Sequence, residues 1–190
     1  MSLELQKMHT KKAKAERIPE GTYMARISSI IDLGLQPQTD WQTGEPTDDK
    51  NRVLFTWELP TEIIKIQHED GSDEELPRLI SKEYTLSTYE RANLMQLIKA
   101  LLPGCTNLNE MLNLTCMVTI GSTVNGNAKV TAVVPVPKGM PVDELSKPAS
   151  YFDFEAPDEG MFLNQPDWIQ EKLKTAVNYN GFADKWNKGE

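Results

Sequence analysis

The stretch STYERANLMQLIKALL, residues 87–102, decides how the rest of this chain is read. Ser87 is placed to cap a helix, and Glu90, three residues on, is placed to reach back in a capping box. Leu94, Leu97, Ile98, Leu101 and Leu102 recur at helical spacing and form one apolar face, with Arg91 and Lys99 off that stripe. Pro103-Gly104 ends the helix. Three strand-like stretches precede it and two follow.

The first strand follows the turn at residues 18–21. Tyr23, Ala25, Ile27, Ile31 and Leu33 alternate with polar positions, and Ile30 interrupts the alternation, which predicts a bulge or bend near Ser28-Ser29. Residues 34–51 read as a polar loop that carries Trp41. In the second strand, residues 50–59, Val53, Phe55, Trp57 and Leu59 share the core face, with Arg52, Leu54, Thr56 and Glu58 opposite. Residues 61–66 extend toward an acidic hairpin tip at 69–75. Residues 78–86 form the third strand, where Lys82 and Tyr84 share a side with Ile80. After the helix come strand four, residues 114–120, an Asn125-Gly126 hairpin turn, and strand five, residues 128–136. The order of three strands, one helix and two strands is that of a five-stranded OB-fold barrel, a Greek-key fold that binds single-stranded nucleic acid or oligosaccharide.

This expectation divides the 190 residues into a basic N-terminal arm (1–17), an OB-fold domain (18–137) and an acidic-aromatic C-terminal extension (138–190) with a short helix over 167–177. The arm carries five basic and two acidic residues, whereas the net charge of the chain is −8. That acidity argues against a generic binder of duplex DNA. No apolar run approaches the roughly 20 residues of a membrane span, and the N-terminus lacks the apolar core of a secretory signal. Cys105 and Cys116 form neither a metal spacing nor a disulfide framework. His9 and His68 stand alone, and no phosphate loop or nucleophile elbow occurs. No cofactor, metal or catalytic site is expected.

Several stretches resemble phage-encoded single-stranded DNA-binding proteins of the OB-fold type. They are Gly21-Thr22-Tyr23, Ile30-Ile31-Asp32-Leu33-Gly34, Phe55-Thr56-Trp57-Glu58-Leu59-Pro60 and Ser81-Lys82-Glu83-Tyr84-Thr85-Leu86-Ser87. Asn93-Leu94 and Val134-Pro135-Val136-Pro137 fit the same pattern, and the resemblance covers about residues 18–140. It implies a protein that coats single strands during phage DNA replication or recombination, in the cytoplasm of the infected bacterium. It further implies that the extension meets phage or host replication and recombination proteins, or competes for the DNA groove.

Single-strand binding without sequence preference needs cations for the backbone and flat side chains for bases. The candidates are Arg26, Lys50, Arg52, Lys65, Lys82 and Lys129, with Trp41 and Tyr84. Arg26 and Arg52, on the non-core faces of adjacent strands, lead this set. In the extension, Phe152, Asp153, Phe154 and Glu155 interleave aromatics with carboxylates as a single strand interleaves bases with phosphates. The segment is therefore expected to occupy the chain's own groove, to dock a partner, or simply to pack onto the barrel. Two other classes fit the same pattern: a phage structural or assembly protein using an OB-like barrel for protein contacts, and a carbohydrate binder using Trp41.

Overall fold

The computed structural model describes residues 17–68 and 70–186. These residues are mainly β and form a six-stranded sheet and four α-helices. The strands are β1 (Gly21–Thr39), β2 (Pro46–Gln67), β3 (Asp73–Thr85), β4 (Thr115–Ser122), β5 (Ala128–Val134) and β6 (Ser150–Phe152). The helices are α1 (Asn93–Leu101), α2 (Glu159–Leu163), α3 (Asp167–Lys174) and α4 (Phe182–Trp186). Neighbouring strands run β3-β2-β1-β4-β5 and are antiparallel, while β6 lies parallel to β1. β3 and β5 come within 8 Å between Cα atoms, but no ladder joins them. The expected closed barrel is thus corrected to an open sheet among the described residues.

β1 organises the sheet because its two ends have different partners. Residues 21–26 pair with β4, and residues 26–39 pair with β2. Two residues of β1 advance against one of β2 between Ile27 and Ser29, so a bulge sits where the broken alternation places it. The bulge also changes the faces. Ala25, Ile27 and Ile30 enter one core, whereas Ile31 and Leu33 enter another on the opposite face. An uninterrupted period of two would have kept Ile31 with Ile27.

The first core lies under α1. Val53, Phe55, Trp57 and Leu59 from β2 meet Leu94, Leu97 and Ile98 from α1, with Cys116, Val118 and Ile120 from β4. Phe55, Trp57 and Tyr84 form an aromatic trio with ring centroids 5.6–6.5 Å apart. Burial pushes the Cys116 thiol up to about 12, against an opposing pull from the Trp57 side chain. The helix keeps its apolar face but begins later than its sequence suggests, because no capping box forms at Ser87. The Ser87 hydroxyl accepts from Tyr89 N (3.2 Å), and the Glu90 carboxylate turns forward to Lys99 (3.2 Å). A capping box forms instead at Asn107 and Glu110, opening a 3-10 turn over Leu108–Met111.

The β4–β5 hairpin is present, with Gly126 at φ 71° and its N–H donating to Thr123 O (2.7 Å). The turn spans three residues, a type I turn closed by a left-handed glycine.

The second core is what the extension builds. Phe152 and Phe154 join Phe162, Ile169, Leu173 and Phe182 over Ile31, Leu33 and Leu54. Phe182 stands at the centre, 4.9–6.2 Å from the rings of Phe152, Phe154, Phe162, Tyr179 and Trp186. The expected short helix is α3, with Ile169 and Leu173 buried but Trp168 and Val177 exposed. The strand β6 and the helices α2 and α4 had no counterpart in the sequence reading.

Candidate nucleic-acid interface

The outer face of β1, β2 and β3 follows from register, since directly paired residues share a side. The pairs Arg26↔Glu58, Ser29↔Thr56, Thr56↔Ser81, Glu58↔Leu79 and Arg52↔Thr85 lie on it. Its middle is a row of small hydroxyls, in which Thr56 and Ser81 share a 2.8 Å bond and Ser28 donates to Thr56 O (3.1 Å).

Arg26 and Arg52 both lie on this face, but each is held within the chain. The Arg26 guanidinium donates to Asp143 O (2.7 Å), Val142 O (2.9 Å), Asn113 O (3.1 Å) and Glu144 Oε1 (2.9 Å). Its side chain is 12% exposed. Next to it, buried Glu58 takes Ser146 N (2.7 Å) on one oxygen and Ser146 Oγ (2.6 Å) on the other. These bonds clasp a strap, residues 142–149, across the sheet. Arg52 pairs with Glu83 (3.3 Å) and donates to Thr85 Oγ1 (2.8 Å), and Glu83 is also met by Lys172 of α3. The two arginines are six residues apart in register along β2, about 20 Å, and the extension crosses the sheet between them.

The other candidates scatter. Trp41 stands at the tip of the β1–β2 hairpin and is 87% exposed, so it does not fold back onto the sheet. Its loop is ordered by Asp40, whose Oδ1 accepts from Gln42 N (2.8 Å) and Thr43 N (2.9 Å). Those bonds from Thr43 and Gln42 hold the Asp40 carboxyl below its usual range. Lys50 is exposed on the same hairpin, opposite Gln36. Lys65 pairs with Glu75 (3.1 Å) on the long β2–β3 ribbon.

Lys82 and Tyr84 lie on the inner face, opposite Phe55 and Val53. Tyr84 belongs to the first core, and Lys82 Nζ sits 5.2 Å from its ring centre. Burial lowers the Lys82 ammonium below its ordinary range. Lys129 is exposed on β5.

Phe152 and Phe154 are buried in the second core rather than laid along an open groove, so the packing alternative describes their placement. Asp153 and Glu155 flank Asp32, whose carboxyl is pushed above its ordinary value by burial and then by these two charges. Residues 1–16 of the basic arm, and Glu69 at the acidic tip, lie outside the described residues.

Sequence reasoning missed the strap and a cleft of about 830 Å3 between the sheet and the extension. The available signal was the outer row itself. A solvated sheet face favours charged and long polar side chains, whereas Ser28, Ser29, Thr56, Leu79 and Ser81 are small or apolar. Among the described residues, no cluster of His, Cys, Asp and Glu could hold a metal, and no helix is long and apolar enough to cross a membrane. Comparison with protein-family models, with curated proteins and with solved structures finds no match.

Proposed function

We propose that this chain is a single-stranded DNA-binding protein of OB type that coats single strands during phage DNA replication or recombination. Binding is largely independent of sequence and takes place in the cytoplasm of the infected bacterium. The observation that carries the reading is Trp41. A large flat side chain, 87% exposed, stands on an ordered hairpin tip beside the sheet and packs into neither core. Exposed indoles on a fixed platform suit base stacking. The order of three strands, α1 and two strands, with β1 shared by β2 and β4, supports the OB reading. The resemblance over residues 18–140 supports the phage setting.

The engagement of Arg26 and Arg52 shifts weight away from them and toward the Trp41 hairpin with Lys50. It also favours a second reading, a phage assembly protein that makes protein contacts, since leading cations are used internally on an acidic chain. A polythymidine shift assay over a salt series separates the two. Single-strand binding gives a complex whose log affinity falls linearly with log salt. No complex at the lowest salt refutes it and leaves the assembly reading.

A further inference from the structure

The cleft of about 830 Å3 is formed jointly by the outer sheet face and the extension. Its size falls within the roughly 300–1,000 Å3 of small-ligand sites. We propose that it receives an unstacked base of the bound strand, with Trp168 as the stacking surface; this rests on the single-strand reading above.

Three observations point to a base. First, large apolar side chains remain exposed around this one opening: Leu79 at 57%, Trp168 at 51% and Met161 at 39%. Ile169 and Leu173 fix α3 to the second core, so Trp168 is presented from an anchored helix. Second, the floor is built of hydroxyls, those of Ser28, Ser29, Thr56 and Ser81. Ser29 Oγ is buried without a hydrogen-bond partner. The Ser28 proton is used on Thr56 O, but the bonded Thr56–Ser81 pair keeps one hydroxyl proton and open lone pairs; a hydroxyl rotates to donate or accept, so such a floor meets the edge of any base without choosing one. Third, the charges suit a neutral ring with a phosphate outside. Glu58 has both oxygens taken by Ser146, and Lys147 adds a cation at the same rim. A flat ring with polar edges matches an indole wall above a hydroxyl floor.

The test uses the full chain and an oligothymidylate carrying one 5-iodouracil, irradiated after a complex is seen by gel shift. The crosslinked peptides are then mapped. The expected product joins the base to the segment around Met161 and Trp168, in addition to any product at Trp41. A shifted complex that crosslinks at Trp41 alone overturns the cleft and leaves the single-strand reading standing. No shifted complex at all removes both. Trp168→Ala provides an independent measure: its side chain is outside the second core, so the fold and Tm should hold while affinity falls about fivefold or more. Trp168→Phe should recover most of that loss. Unchanged affinity in Trp168→Ala also overturns the proposal.

Discussion

Replacing Trp41 by Ala separates a stacking residue from a packing residue. The side chain is 87% exposed and belongs to neither core, so truncation removes almost no buried apolar surface. The loop is held by Asp40 through backbone donors, which survive the change. Stability should therefore move by no more than about 0.5 kcal/mol, as at ordinary surface sites. Base stacking on an aromatic is worth about 1–3 kcal/mol. At 1.4 kcal/mol per tenfold, Trp41→Ala should weaken polythymidine binding by about fivefold to 140-fold. The contrast is Trp57, fully buried in the first core, where truncation should cost about 3–5 kcal/mol of stability. Fluorescence titration at fixed salt gives the affinity and thermal melting gives the stability. A Trp41→Ala protein that melts early yet binds as tightly as the parent would refute the reasoning.

Three further outcomes follow from the packing. Arg26→Lys keeps the charge but loses the fork that meets Val142, Asp143 and Glu144; melting should show a loss on the order of 1–3 kcal/mol, and an unchanged Tm would mean that the clasp is idle. Asp32 has a folded pKa above its ordinary 3.8, so its contribution favours the fold below that value and is lost as pH rises through the raised one. Asp32→Asn should therefore melt higher than the parent at pH 7, with the gap closing toward pH 3.8, and a lower Tm at pH 7 would contradict the desolvation argument. Gly34 sits at φ 69°, and an added Cβ would lie 2.8 Å from both Asn178 Oδ1 and Phe154 Cζ. Gly34→Ala should cost more than about 1 kcal/mol, with the extension loosening first in hydrogen exchange; full protection of α3 would argue otherwise.

Local pattern was enough for the elements that depend on local pattern. Leu94, Leu97 and Ile98 announce α1, Val53 through Leu59 announce the inner face of β2, and Ile30 announces the bulge. The start of α1 was not legible, because the choice of Glu90 between Ser87 and Lys99 depends on side-chain geometry. Nor was the outer face. Leu54 reads as one apolar residue on a polar side until Phe152 and Leu173, about a hundred residues later, are known to cover it. The strap has the same character, since Ser146 looks like any loop serine until Glu58 is placed beneath it. Trp41 was legible as a loop residue, but its exposure was settled only by the Asp40 turn.

The parallel pairing of β6 with β1 has a consequence for the order of assembly. Ser29 meets Ser150, so these contacts close over more than a hundred residues of chain. The first core can form once β5 has emerged from the ribosome, while Ile31, Leu33 and Leu54 remain bare until the extension follows. During that interval the nascent chain presents an apolar sheet face and an uncovered stretch of β1 edge, the two features that recruit chaperones or invite aggregation. Slow synthesis through residues 138–186 would prolong that exposure, because Phe182, at the centre of the second core, is among the last of its residues to emerge.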